Sequence, residues 1–250
     1  MKKKIVLMLT VIMLIGLAGC GKNQINIKET GTSDNNEQMV QNIYENKRTE
    51  VKQKISEIKE RLPETSAEDK GTCGSKAKWY YKDNTLIIYG EGVITEDTWH
   101  KSNIVINTVV IDSGITKLGN NMFSGLGSEV GKNIENFYIA DGLEEIGSST
   151  FVNCDCLSEI VLPPSLYFID GYTFASCDSL KNVYMTDGVE KIGDSAFTGC
   201  KSLDSIFIPK TVLAIGNGVF TGCNNLSDIQ KIIEYSVKRI IALLTMIQKH

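Results

Sequence analysis

The sequence predicts a solenoid of short parallel strands, and a repeat of fixed length is the main reason. Phenylalanines recur every 23 residues from Phe151 to Phe220, and cysteines recur with the same spacing from Cys154 to Cys223. Each repeat contains an apolar triplet, and Asp-Gly pairs or prolines follow most of these triplets. A repeat of this length cannot bury its apolar side chains alone, so successive repeats are expected to stack around a continuous core.

Five apolar triplets are predicted to be the strands of this solenoid. They occupy residues 109–111, 137–139, 160–162, 183–185 and 206–208. Stacked repeats would place these strands side by side, about 4.8 Å apart. One further copy of the phenylalanine, Phe123, precedes Phe151 by 28 residues. We expect its five extra residues to form a loop within 124–133, because solenoids accept insertions in loops.

The repeat resembles the BspA-type, or treponemal, leucine-rich repeat. Residues 189–209 carry it most clearly, in the order Val-Glu-Lys-Ile-Gly-Asp-Ser-Ala-Phe-Thr-Gly-Cys-Lys-Ser-Leu-Asp-Ser-Ile-Phe-Ile-Pro. The resemblance covers about residues 109–226, although Asp170 replaces the usual glycine in one copy. The segment Gly71-Thr72-Cys73-Gly74 and Trp99 are similar to the cap that commonly precedes such repeats.

The resemblance implies a leucine-rich-repeat solenoid of the α/β repeat class, built mostly from short parallel strands. It also implies an N-terminal β-hairpin cap over residues 71–105 and repeats over 106–226. Two runs favourable to strands, separated by Lys82-Asp83-Asn84, predict the hairpin independently.

The N-terminus has the pattern of a lipoprotein signal peptide over residues 1–19. Lys2, Lys3 and Lys4 precede an apolar run over 5–18, which is shorter than a membrane span. The following Leu17-Ala18-Gly19-Cys20 resembles the lipobox of bacterial lipoproteins. This resemblance implies a lipid attached to Cys20, with the protein held on the outer side of the membrane. Two or three acyl chains give lasting attachment.

Residues 20–70 form a charged segment with a helical stretch. Val51, Ile55, Ile58 and Leu62 recur at helical spacing, and Pro63 ends the pattern. We expect a mobile spacer between the membrane and the folded domain. A stripe this narrow also suits a weak coiled coil or a helix lying on the domain.

Residues 227–250 predict an amphipathic C-terminal helix, with isoleucines, valines and leucines at spacings of three and four. Because the last coil of a solenoid needs a cover, the simplest role is a C-terminal cap. Its lysines and Arg239 leave attachment to a membrane surface open, as well as a tail unrelated to the repeats.

The middle residue of each triplet is predicted to point away from the core, because side chains alternate along a strand. This outward column is the candidate ligand surface: Val110, Tyr138, Val161, Tyr184 and Phe207. Exposed aromatic and branched side chains suit a protein-binding surface. The same residue types also favour strands for their own sake.

The repeated cysteines Cys154, Cys177, Cys200 and Cys223 are predicted to form a structural ladder of buried thiols. Equivalent positions in a solenoid lie in a line, whereas a metal site needs ligands that converge, so we expect no metal and no cofactor. The two histidines, His100 and His250, lie in no catalytic pattern, and no enzyme is predicted. A net charge of −4 argues against a nucleic-acid partner.

The function expected from the sequence is therefore binding at the bacterial cell surface. A lipid anchor would hold the chain to the membrane, and the repeats would contact a protein ligand in adhesion or in interaction with host or matrix proteins. The alternative is a structural envelope component that associates with itself, with helices over 36–62 pairing the chains.

Overall fold

The computed structural model describes residues 33–99, 104–125 and 129–226. Side chains of the first helix are described from Gln38 onward. The predicted signal peptide, Cys20, both histidines and the predicted helix over 227–250 lie outside the described residues. Within the described ranges, no helix combines the length and the apolar composition needed to cross a membrane.

A long helix, α1, extends over Ser33–Arg61 and precedes every described strand. Pro63 follows it closely and cannot donate a helical hydrogen bond, so the helix ends where the sequence predicts. A short 3₁₀ turn, Glu64–Ser66, then leads into the first sheet. The connection between helix and sheet is therefore only a few residues long.

The cap consists of three antiparallel strands: β1 (Asp69–Thr72), β2 (Lys76–Lys82) and β3 (Thr85–Ile94). Asp83 and Asn84 connect β2 to β3 with positive φ angles of 48° and 56°. These angles fit a type I′ hairpin turn, in which Asp and Asn are well tolerated. The long strand β3 pairs in parallel with the first strand of each of the two solenoid sheets, so both sheets begin on the cap.

The predicted triplets form the first solenoid sheet, which confirms the parallel-strand solenoid. The strands are β4 (Thr108–Ile111), β6 (Asn136–Ile139), β8 (Glu159–Val161), β10 (Asn182–Tyr184) and β12 (Ser205–Ile206). Hydrogen bonds join β3, β4 and β6 in one group and β8, β10 and β12 in another, and all these pairs are parallel. The ladder is therefore interrupted between β6 and β8.

A second parallel sheet was not predicted from the sequence. It contains the apolar residue that lies five positions before the repeated phenylalanine, such as Ile146 before Phe151. Its strands also repeat once per coil, so each coil contributes one strand to each sheet. They are β5 (Ile115–Leu118), β7 (Glu145–Ile146), β9 (Phe168–Ile169), β11 (Lys191–Ile192) and β13 (Ala214–Ile215). The five-residue insertion contains a short helix, α2 (Glu129–Asn133), where only a loop was expected.

Stacked aromatic rings form the centre of the core. The repeated phenylalanines, from Phe123 to Phe220, stack on one another with ring centroids 5.0 to 5.9 Å apart and planes within 12°. Trp99 of the cap stacks on Phe123 at 5.4 Å and extends the column by one ring. The 23-residue period therefore has a direct physical meaning, because it places one buried ring above the next.

Candidate functional site

The outward column occupies the face of the first sheet that points away from the core. Flanking triplet residues such as Val109 and Ile111 lie in the solenoid core, and the middle residues lie on the opposite side. Val110 and Val161, however, are only 0% and 4% exposed, and Tyr138 and Tyr184 are partly buried. The expectation that this column faces solvent is therefore wrong for these four residues.

Helix α1 covers the column. Its apolar stripe packs with the middle residues in a second apolar cluster, separate from the solenoid core. The helical residues of this cluster are Tyr44, Val51, Ile55 and Ile58, with Leu62 just beyond the helix end. The expectation of a mobile spacer is thus wrong for residues 38–62. Burial of each of these apolar side chains contributes about 1.5–3 kcal/mol to holding the helix on the sheet.

The fifth member of the column, Phe207, is half-buried. It does not belong to the apolar cluster beneath the described side chains of α1. Among the described side chains, the hydrogen bond to the solenoid nearest the start of the helix joins Thr186, just after β10, to Gln41 at 3.0 Å. Phe207 lies one coil further on, so the helix brings four of the five predicted residues together and leaves the fifth at the edge.

Arg48 anchors the helix at the interruption between β6 and β8. The residue is 3% exposed. Its Nη1 donates to the carbonyl of Ile139 at 2.9 Å and to that of Val161 at 3.4 Å, and its Nη2 donates to Asp141 at 2.7 Å. One guanidinium group therefore bridges the two strands that do not pair with each other.

A proline explains why the carbonyl of Ile139 needs this donor. One coil earlier, the N–H of Ala140 donates to the carbonyl of Ile111 at 2.8 Å. Pro163 takes the place of Ala140 in the next coil and has no N–H to give. The guanidinium of Arg48 supplies the missing hydrogen bond, and an unsatisfied buried carbonyl is avoided.

Ion pairs line both sides of the docked helix. Lys47 contacts Glu159 at 3.0 Å, Lys59 contacts Asp112 at 2.5 Å, and Lys52 joins Arg48 on Asp141 at 2.7 Å. Partial burial acts to raise the pKa of Asp141, but hydrogen bonds from Lys52 and Arg48 outweigh it and hold that pKa below its ordinary value. Tyr44 donates to the carbonyl of Leu162 at 2.9 Å, and its burial raises the pKa of the phenol.

The outer side of the second sheet remains exposed and carries a smaller aromatic group. Tyr167 is 41% exposed and donates to Glu145. The ammonium group of Lys191 lies 4.9 Å from the ring centroid of Phe168. This surface mixes charge with aromatic area, and sequence reasoning did not single it out.

The cysteine ladder lies inside the solenoid. Cys154, Cys177, Cys200 and Cys223 are buried free thiols, and each Sγ donates to a phenylalanine carbonyl one coil earlier at 2.9 to 3.2 Å. Cys73 is buried and Cys156 is exposed, and both are free thiols. Among the described residues, no group of three or more His, Cys, Asp or Glu side chains could hold a metal ion.

These positions predict a simple pattern of thiol reactivity. In a soluble chain begun at Gly21, an aromatic disulfide reagent should modify Cys156 rapidly under native conditions and the other cysteines only after unfolding. Burial raises the pKa of Cys73 to about 12 and raises that of Cys177 well above its ordinary value, so thiolate is scarce as well as inaccessible. Absorbance counting of released thiol checks this, and several rapid equivalents would contradict it.

Comparisons with known proteins agree with the repeat architecture. A family model described as the BspA type leucine rich repeat region matches residues 129–242 in six copies. No curated protein is a significant match. The described coils from β6 onward lie within the matched residues.

Three solved structures are similar at low identity. A leucine-rich-repeat protein of T. pallidum is 22% identical, with 66% of this chain and 68% of that chain covered and a TM-score of 0.47. A leucine-rich cell surface protein of Faecalibacterium prausnitzii A2-165 is 22% identical, with 65% and 54% covered and a TM-score of 0.43. The pneumococcal vaccine antigen PcpA is 17% identical, with 62% and 48% covered and a TM-score of 0.42. The chain thus spans about half the length of the last two. Residues 129–242, the part that the family model matches, belong to the BspA-type leucine-rich repeats.

Proposed function

We propose that this chain is a lipid-anchored bacterial surface protein that binds other proteins through the outward face of its first sheet. One observation carries the proposal: that face accepts an amphipathic helix, because α1 already occupies it. The face combines the apolar side chains of Val110 and Val161 with the rings of Tyr138 and Tyr184. Aromatic residues of this kind supply much of the energy at protein interfaces.

The contact follows the helix-in-groove mode of peptide recognition. The helix presents Val51, Ile55 and Ile58, and Leu62 lies just beyond its end, at successive steps of four, three and four residues. An external ligand with a similar apolar stripe would use the same surface after α1 leaves it. Since α1 is tethered at millimolar effective concentration, it competes strongly and keeps the face closed until the ligand or another event displaces it.

A pair of matched variants tests this proposal. Ile55→Asp places a charge in the buried stripe, whereas Ser56→Asp places the same charge on the solvent side of the helix. We expect a labelled peptide of residues 38–62 to bind the Ile55→Asp chain at least tenfold more tightly than the wild-type or Ser56→Asp chain. Fluorescence anisotropy measures this, using soluble chains begun at Gly21.

One further chain, with two added substitutions, locates the site. Adding Tyr138→Ser and Tyr184→Ser to the Ile55→Asp chain should abolish peptide binding. The same four chains are then applied to purified extracellular-matrix and cell-surface proteins to identify a ligand. If one of these proteins bound the wild-type and Ile55→Asp chains equally well, its site would lie elsewhere, for example on the surface around Tyr167 and Phe168.

The membrane anchor is tested separately. Replacing Cys20 with alanine should release the protein from membranes into the soluble fraction, because the acyl chains would no longer be attached. Metabolic labelling with a fatty acid, followed by membrane fractionation, measures both effects. Lipid labelling that persists in the Cys20→Ala chain would refute attachment at this residue.

Self-association is the second candidate function. Every copy of the chain carries both halves of the α1 contact, so two copies could exchange helices. This would make the protein a structural component of the envelope. Light scattering after size-exclusion chromatography distinguishes the two candidates. A dimer that Ile55→Asp converts to a monomer would favour exchange over ligand binding.

A further inference from the structure

Helix α1 runs along the solenoid in a defined direction. Close to its start, Gln41 contacts Thr186 just after β10, and just beyond its end the carbonyl of Leu62 accepts a hydrogen bond from Tyr80 of β2 at 2.9 Å. The contacts between these points follow the coils in order: Tyr44 with Leu162, Arg48 with Asp141, and Lys59 with Asp112. The N-terminal end of α1 therefore lies at the C-terminal end of the solenoid.

This direction fixes where the chain is tied to its anchor. Cys20 precedes Ser33 by 13 residues, and a segment of that length spans at most about 45 Å. The 29 residues of α1 cover a further distance of about 43 Å. To bring the cap to the bilayer, the segment between Cys20 and Ser33 would have to run back along the helix in a fully extended conformation. The last described coil lies near the start of the helix and could reach the bilayer without this.

The charges of the two ends favour the same orientation. Residues 64–99 contain seven acidic and four basic side chains, whereas residues 203–226 contain one of each. An anionic membrane surface repels the acidic cap more than the neutral coil. The two most exposed large apolar side chains of the described residues lie towards the neutral end: Leu213 is 71% exposed and Met39 of α1 is 61% exposed, whereas Val105, beside the cap, is 52% exposed.

We propose that the last coils of the solenoid face the lipid bilayer and that the cap, β1 to β3, points away from it. The inference rests on the proposed lipid anchor at Cys20. It deepens the proposed function, because it presents the cap and the first coils to partners outside the cell. Docked α1 acts as the rigid element that sets this orientation.

Energy transfer to the membrane tests the orientation. The lipidated full-length chain, with Cys156→Ser to remove the exposed thiol, is bound to vesicles of phosphatidylcholine and phosphatidylglycerol that contain an acceptor lipid. A donor dye is placed at Lys78→Cys in the cap or at Asp204→Cys in the last coil, two exposed positions. Six strand steps separate β2 from β12, about 29 Å, so we expect markedly more transfer from position 204.

A released variant provides the control. Adding Ile55→Asp frees the solenoid from α1, and the difference in transfer between positions 78 and 204 should shrink. Equal transfer from both positions, or more from position 78, in chains that float with the vesicles would overturn the orientation alone. Failure of the chains to float with the vesicles would overturn the anchor, and the orientation with it.

Discussion

Replacing Phe174 with alanine is expected to lower the free energy of unfolding by about 3–5 kcal/mol. The ring is fully buried and lies between those of Phe151 and Phe197, at centroid distances of 5.0 and 5.2 Å. Truncation would leave a cavity in the middle of the stack, and the backbone of a solenoid cannot collapse to fill it. Urea denaturation followed by circular dichroism measures the loss.

Phe168→Ala is the matched control for this variant. Its ring lies on the outer side of the second sheet, next to the core residue Ile169 of the same strand, and contacts Lys191 instead of other rings. We expect a loss below about 1.5 kcal/mol, because the side chain is only partly buried. Losses of equal size in the two variants would show that the stacked rings are not the centre of the core.

Replacing Arg48 with alanine is expected to weaken docking of α1 by about 2–4 kcal/mol. The change removes the donor to the carbonyl of Ile139, a buried residue, and one partner of Asp141, whose side chain is 45% exposed. Since about 1.4 kcal/mol is a factor of ten, the undocked population should rise about 30-fold or more. A protease that cleaves after glutamate detects this, because α1 carries Glu45, Glu50, Glu57 and Glu60.

Lys52→Ala provides the comparison. Lys52 pairs with the same carboxylate of Asp141 but is 59% exposed, so its loss should change docking by less than about 1 kcal/mol. Cleavage within α1 should therefore accelerate strongly in the Arg48 variant and little in the Lys52 variant. Similar rates in both would mean that the buried guanidinium does not hold the helix.

The repeat and its strands could be predicted from the sequence because their signals are local and periodic. The position of Phe174 relative to Phe151 needs only a count of 23 residues, and stacking follows from that count. The second sheet was missed because most of its strands are only two residues long. A pair such as Glu145-Ile146 carries no strand signal by itself, and only its recurrence in each coil could have revealed the sheet.

The covering of the candidate face was harder to predict, since it depends on a contact between distant parts of the chain. The stripe from Val51 to Leu62 was recognised, but it continues to Arg48 and Tyr44 with the same alternation of three and four residues. This longer stripe is too extensive for a spacer. Two residues could have suggested the buried hydrogen bond. Arg48 places a donor within the apolar stripe, and Pro163 lacks the N–H that would otherwise bond to the preceding coil.

Hydrogen exchange of the backbone amides in residues 44–58 tests the central claim, which is that α1 docks on the outward face. Because most of the stability of a helix in a protein comes from packing of its apolar face, amides of an undocked α1 would exchange far faster than those of a docked one. In the soluble chain begun at Gly21, we predict protection of these amides close to that of β4 and β6, with loss of protection in the Ile55→Asp chain. Exchange of residues 44–58 at the rate of an unfolded peptide in the wild-type chain would contradict the account.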